Sequence, residues 1–261
     1  MAFITINGMD FYYEVSGRGE PLILIGGLTA NCHEWSRMDD DLTQRYTVYK
    51  LDNRGAGQTG GSLLSIEQMA HDIANFIEQL GLGQVRVVGH SMGGAMVQRL
   101  CLFYPHLIKA AVIASSFACF PKAAQLYIES SSELLAAGLD MTLVLRTIYT
   151  RLYGSEFLSH DANITAELAR MLEDPFPQTP EGYASQVQAI ARFDSREDLN
   201  RIQCPVLIVH GLEDVLTPMY LAHELHQGIA QSSIAFIPHC GHMIPQEKPK
   251  ELAQWILDFF A

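Results

Sequence analysis

The segment Val87-Val88-Gly89-His90-Ser91-Met92-Gly93-Gly94 matches G-x-S-x-G at Gly89, Ser91 and Gly93. A serine in this setting is presented on a sharp strand-to-helix turn, where side chains two positions to either side would collide. The helix that follows adds free N–H groups and the positive end of its dipole, which suits a developing negative charge. A serine hydroxyl is a weak nucleophile, so it needs a base, and the base needs an acid to orient it. Asp214 lies in a loop after the apolar run 205–209, and His242 in a loop after the run 234–238. Ser91, Asp214 and His242 are therefore the candidate catalytic residues. Glu213 and His239 compete with two of them. Asp214 is favoured because Glu213 lies one residue closer to the strand, and His242 because Gly241 before it suits a tight loop. No carboxylate follows the run 108–114, where Ser115-Ser116-Phe117 stand instead. An oxyanion hole needs two backbone N–H groups. Met92, directly after the serine, supplies one. Leu28 in Gly26-Gly27-Leu28-Thr29 supplies the other, with Gly27 lining the substrate site.

These residues require elements that bring them to one edge. Residues 3–7 and 11–15 flank Gly8 and read as a hairpin. The runs 22–25, 46–51, 85–88, 108–114, 205–209 and 234–238 read as strands, several of them continuously apolar, as burial on both faces demands. Residues 65–80 carry apolar side chains at helical spacing, with Ser65 and Gln68 as a capping box and Gly81 at the exit. Residues 92–104, 218–227 and 247–260 also read as helices. This alternation predicts an α/β fold with a mostly parallel sheet covered on both faces, so strand ends far apart in sequence converge. The alternation stops from 117 to 198. Helical stretches at 125–137, 141–153, 163–172 and 183–193 predict an inserted helical cap, with residues 1–116 and 199–261 forming the core. Gly55-Ala56-Gly57-Gln58-Thr59-Gly60 is literally G-x-G-x-x-G, but the next helix cap is Ser65, so it reads as a structural loop with Arg54 pairing locally, not as a dinucleotide site.

Composition sets the outer limits. The chain has 261 residues, 48% of them hydrophobic, enough for a sizeable core. Its length exceeds one typical domain, and the helical insertion explains the excess. With 17 Lys/Arg against 29 Asp/Glu it would be repelled by nucleic acid and by anionic membranes. No apolar run reaches membrane-spanning length, and the N-terminus lacks the pattern of a signal peptide. Five scattered cysteines without CxxC spacing read as free thiols in a reducing cytoplasm. His223 and His226 are three apart on a helix, but with no third ligand they read as solvent-facing, and no metal is expected.

Together the motifs resemble the α/β-hydrolase superfamily, in its capped serine-hydrolase branch. The resemblance runs through Gly26-Gly27-Leu28, Asp52-Asn53-Arg54-Gly55-Ala56-Gly57, Gly89-His90-Ser91-Met92-Gly93-Gly94, Gly211-Leu212-Glu213-Asp214 with Pro218, and Gly241-His242. One departure is visible: many members carry His-Gly at the oxyanion strand, where Gly26-Gly27 stands here. The resemblance implies acyl transfer to water through a Ser91 acyl-enzyme, with neither metal nor organic cofactor. In size and cap the chain is similar to pimeloyl-acyl-carrier-protein methyl esterases and 3-oxoadipate enol-lactonases. Carboxylic esters are the expected substrates. Lactones, C–C bond hydrolysis and, from another class, a ligand sensor without turnover are the alternatives. The cap is the expected substrate selector, with Phe117, Tyr149 and Tyr153 lining an apolar pocket. Arg146 and Arg151 could offer an acidic carrier protein a basic patch, although the cap carries six Lys/Arg against twelve Asp/Glu.

Overall fold

Short β-branched and aliphatic runs pair into one sheet in the computed structural model, which describes residues 2–62 and 65–261. In chain order its first half comprises β1 (Ala2–Ile6), β2 (Met9–Gly17), β3 (Glu20–Ile25), a 3-10 helix (Cys32–Met38), α1 (Asp39–Leu42), β4 (Tyr46–Leu51), α2 (Ile66–Gln79), β5 (Val85–His90), α3 (Met92–Phe103) and β6 (Ile108–Ala114). The insertion follows as α4 (Lys122–Ala136), α5 (Met141–Leu152), α6 (Ser155–Leu158), α7 (Asp161–Leu172) and α8 (Pro180–Arg192). The chain closes with β7 (Val206–Gly211), α9 (Met219–Gly228), β8 (Ser232–Ile237), α10 (Ile244–Glu247) and α11 (Pro249–Phe259).

The described residues form an eight-stranded sheet in the order β1-β2-β4-β3-β5-β6-β7-β8. β2 pairs antiparallel with β1 and β4, and the remaining pairs are parallel. β3 has β4 on one side and β5 on the other. The loops leaving β3 and β5 therefore diverge, which opens a crevice at the carboxyl edge of the sheet. β7 presents only buried residues, as a strand covered on both faces must.

The flanking helices follow from their sequences. The Ser65 side chain accepts a hydrogen bond from Gln68 N at 3.2 Å and starts α2, which buries Ile66, Met69, Ile73, Phe76 and Ile77 on one face. α3 differs: every residue from Met92 to Cys101 is buried. α3 is packed by the sheet, by α2 and by the base of the insertion, with its buried Gln98 and Arg99 side chains hydrogen-bonded. The expected final helix 247–260 is α11, opening at Pro249 after the separate short α10 has ended at Glu247. The turns at Cys32–Met38 and Ser155–Leu158 were not foreseen, since neither shows a full helical period. Among the described residues, no helix is long and apolar enough to cross a membrane.

The insertion is rooted in the core and also has a core of its own. Phe117 is fully buried, 4.7 Å from the Phe120 ring and 6.1 Å from that of Phe193. Gln98 of α3 donates to Phe117 O at 2.9 Å and accepts from Ser195 Oγ at 2.6 Å, which ties both ends of the insertion to one side chain. Farther out, Leu145, Tyr149, Tyr153, Phe157 and Leu168 form a separate apolar cluster.

Candidate active site

Ser91 stands between β5 and α3 with φ 53° and ψ −116°, a strained conformation for a residue with a side chain. Its backbone is stitched to the next strand end. Ser91 N donates to Ala114 O at 2.9 Å, and Ser91 O accepts from Ser116 Oγ at 2.7 Å. A Cβ on Gly89 would strike the Gly93 carbonyl, and one on Gly93 would strike the Ile25 carbonyl, so both motif glycines answer to close backbone approach.

The turn aims Ser91 Oγ at His242. The Ser91 Oγ to His242 Nε2 distance is 3.0 Å, and His242 Nδ1 lies 2.8 Å from Asp214 Oδ2. Asp214 comes from the loop after β7 and His242 from the loop after β8, so three strand ends meet at one point. Asp214 is fully engaged. Its Oδ1 accepts from Leu216 N at 3.0 Å and Thr217 N at 2.8 Å, and its Oδ2 also accepts from Thr217 Oγ1 at 2.7 Å. Burial alone would raise its pKa, but His242, His210 and these donors outweigh it and hold the carboxyl below its ordinary value. The pKa of His210 beside it is lowered as well, chiefly by burial, which favours its neutral form.

The two competing residues point elsewhere. Glu213 accepts from Ser155 N at 2.6 Å and from Ser155 Oγ at 3.0 Å, so it grips the insertion. His239 is exposed and lies 3.4 Å from Glu213. Gly241 is required by contact rather than by turn shape alone. A Cβ there would meet Gly154 N at 2.6 Å, because the backbone leaving α5 passes against the histidine loop. Leu152 O accepts from His242 N at 2.8 Å and from Met243 N at 3.1 Å. Glu247 bridges the same junction, accepting from Gly154 N at 2.8 Å and Gly241 N at 3.0 Å. Burial raises its pKa to about 7 against the pull of these donors.

Met92 is the first residue of α3, where a helix leaves its N–H without an intrahelical acceptor. Leu28 sits between two anchored neighbours. Gly27 N donates to Glu34 Oε2 at 3.1 Å, and Thr29 N donates to Gln186 Oε1 at 3.1 Å. A Cβ on Gly27 would lie 3.2 Å from Ser91 Cβ, so this loop and the nucleophile turn are in contact. Glu34, Gln186 and Thr217 were not singled out from sequence. Thr217 alone had a local signal, standing three residues after Asp214 in an Asx-type loop. Gln186 reaches Thr29 across 157 residues, and Glu34 reaches Gly27 across seven, with no motif joining them.

The other expected site residues fall as follows. Phe117, Tyr149 and Tyr153 are buried in side-chain packing: Phe117 at the root of the insertion, Tyr149 and Tyr153 in its outer cluster, where Tyr153 stacks on Phe157 at 4.3 Å. Arg146 and Arg151 are both exposed on α5. Five residues of helix set them roughly 140° apart, and Arg151 lies over the Tyr127 ring at 5.6 Å, so they do not form one continuous patch. The glycine-rich loop is held by its lead-in residues, and the partner of Arg54 is Asp72 of α2 rather than a residue of the loop. Asp52 accepts from Cys32 N and Gln58 N, each at 2.8 Å, while Arg54 makes a two-point contact with Asp72 at 2.7 and 2.8 Å. His226 Nδ1 lies 2.9 Å from Ser232 Oγ, and His223 packs on the Phe236 ring.

Comparison with known proteins agrees with this architecture. Residues 20–249 match the family described as alpha/beta hydrolase fold, and the chain belongs to that family. It is 29% identical over 240 residues to a pimeloyl-[acyl-carrier protein] methyl ester esterase of Nitrosomonas europaea, covering 89% of this chain and 92% of the relative. It is 27% identical over 278 residues to a 2-hydroxy-6-oxo-6-(2'-aminophenyl)hexa-2,4-dienoic acid hydrolase of Metapseudomonas resinovorans, covering 99% and 90%. The crystal structure of the enol-lactonase from Burkholderia xenovorans LB400 superposes with a TM-score of 0.87 at 20% identity, over 99% of each chain, a likeness of fold. The two sequence relatives are an esterase and a hydrolase, and with the family they support hydrolysis as the general activity of this chain.

Proposed function

We propose that the protein is a serine esterase that cleaves carboxylic esters through an acyl-enzyme on Ser91. The observation that carries this reading is the unbroken relay Asp214 Oδ2–His242 Nδ1–His242 Nε2–Ser91 Oγ, with links of 2.8 and 3.0 Å. His242 takes the Ser91 proton as Oγ attacks the ester carbonyl carbon, then gives it to the leaving alkoxide. Asp214 fixes the tautomer with Nδ1–H and stabilises the imidazolium. The N–H groups of Met92 and Leu28 receive the negative oxygen of the tetrahedral intermediate. Water activated by His242 then attacks the acyl-Ser91 carbonyl and frees the acid. No metal or organic cofactor enters any step.

The substrate reading is an ester with an apolar acyl chain, free or carried on an acyl-carrier protein. The methyl ester esterase relative supports the carrier form. An acidic carrier would meet Arg146 or Arg151 singly, given their angular separation. The test is hydrolysis of p-nitrophenyl esters of increasing chain length by wild type and Ser91→Ala. Turnover is expected only in wild type, and an alanine variant of undiminished activity overturns the reading. Arg146→Glu should weaken cleavage of a carrier-linked methyl ester while sparing the free ester.

A further inference from the structure

Behind the proposed relay lies a second pair of charged side chains. His90, the residue before Ser91, is 1% exposed, and Glu34 of the 3-10 helix is 5% exposed. His90 Nδ1 is 2.5 Å from Glu34 Oε1, and His90 Nε2 is 2.9 Å from the carbonyl oxygen of His242. The other carboxylate oxygen, Oε2, accepts from Gly27 N at 3.1 Å. Gln246 Nε2 donates to Glu34 O at 3.0 Å, and the Trp35 ring stands edge-on to His90. One buried pair thus touches the backbone of the Gly26–Thr29 loop on one side and of His242 on the other. We propose that Glu34 and His90 are positioning residues, a buried ion pair that holds the oxyanion loop and the His242 loop in fixed register across Ser91.

Three features carry the assignment. Both ring nitrogens of His90 face oxygen acceptors, a carboxylate and a backbone carbonyl. A neutral imidazole has a single N–H, so the ring meets both as an imidazolium. Burial alone would lower the pKa of His90, but Glu34 outweighs it and raises it. The titratable groups around the ring are Glu34, Asp214, His210 and His242, the last with its ring centroid 5.1 Å away. Finally, a Cβ on Gly26 would fall on Glu34 Oε2. Glycine at position 26 is therefore what admits the carboxylate: the loop is braced from the 3-10 helix rather than by a side chain of its own.

This inference rests on the Ser91 reading, and its test separates the two. Glu34→Gln, His90→Gln and Gly26→Ala are compared with wild type and Ser91→Ala on a p-nitrophenyl ester. Intact sites are counted by stoichiometric titration with a p-nitrophenyl phosphonate. Each of the three variants should lose about 10–100-fold in kcat per titrated site, with KM within about threefold, because misplacement of catalytic groups by an ångström costs about that much. In Glu34→Gln the unpaired His90 becomes neutral, and in His90→Gln the cation is gone. His90→Gln leaves the Glu34 carboxylate without the cation beside His242, so the acid limb of the kcat/KM profile should rise, whereas Glu34→Gln removes both charges of the pair and should raise it less. Gly26→Ala displaces the carboxylate without deleting a charge, and it carries the kinetic test if a charge-deleting variant fails to fold. A structural role alone would reduce the titratable fraction and leave kcat per site and the acid limb where they were, and that result overturns the proposal. Undiminished turnover in Ser91→Ala overturns the serine reading instead.

Discussion

Arg99 is where the nucleophile helix meets the root of the insertion, and its removal gives a quantitative test of how the two are joined. Its side chain is 8% exposed. Nε donates to Glu67 Oε1 at 2.7 Å, one terminal nitrogen to Asp198 Oδ2 at 2.9 Å and the other to Asp194 O at 2.8 Å. The guanidinium also lies over the Phe193 ring at 5.0 Å and the Phe103 ring at 5.7 Å. In Arg99→Ala the Glu67 and Asp198 carboxylates, 40% and 31% exposed, can rehydrate, so each lost ion pair is worth the small value of a surface pair. The Asp194 carbonyl loses a charged donor, the two rings lose a cation, and the vacated stem leaves unfilled space. Together these losses amount to about 3–5 kcal/mol. For a chain of this size that lowers Tm by roughly 10 °C. Arg99→Lys keeps the charge but one hydrogen bond of the three, and should lose about half as much. Thermal and urea melts at low and high salt measure both variants. Because the partners are spread over buried and exposed groups, high salt should not abolish the difference. A loss below about 1 kcal/mol in Arg99→Ala would refute the claim that this side chain anchors the insertion.

Other outcomes follow from the same geometry. Asp214→Asn should keep the fold but cost about 10³–10⁴-fold in kcat on a p-nitrophenyl ester, since an amide favours the wrong His242 tautomer. The Asp214 carboxyl, raised by burial but lowered further by His242 and its donors, lies below its ordinary 3.8 in the folded state. Its stabilising contribution is therefore complete above that value and is lost as pH falls through the folded one, visible as acid unfolding followed by circular dichroism. Glu247 has the opposite sign: burial lifts its folded value from 4.5 to about 7. Stability should decline as pH rises between those values, by at most about 3 kcal/mol, and level off above. Urea midpoints for Glu247→Gln should lack that slope. Among the described residues Tyr149 donates to Met171 Sδ alone, at 3.3 Å, so Tyr149→Phe should shift Tm by no more than a degree or two, whereas Tyr149→Ala should cost about 3–5 kcal/mol.

What was legible in the sequence had local causes. Gly89 and Gly93 announce the serine turn because backbone contact forbids side chains there, and β5 and β7 read as buried strands because both their faces are covered. Ser65 marked the start of α2 through a hydrogen bond spanning three residues. Asp214 could be chosen over Glu213 by strand-end position and His242 over His239 by the glycine before it, although the reason Gly241 precedes His242 lies in Gly154, far away in the chain. Glu34 and Gln186 were not legible, because nothing near them in sequence says that they reach the loop at Gly27 and Thr29. The aromatic residues of the insertion illustrate the same limit. Composition counts Tyr149 and Tyr153 as apolar surface, but only packing shows that they face Phe157 and Leu168 within the insertion.

The junction at Leu152, Gly154 and Gly241 has a consequence for how the family's insertions can be exchanged. The last turn of α5 accepts the backbone N–H of His242, and Glu213 and Glu247 reach across to residues just beyond that turn. The segment that covers the crevice is thus also part of the scaffold that aims the base. Grafting a foreign insertion onto this core would have to reproduce that turn, or specificity could not be changed without disturbing the relay.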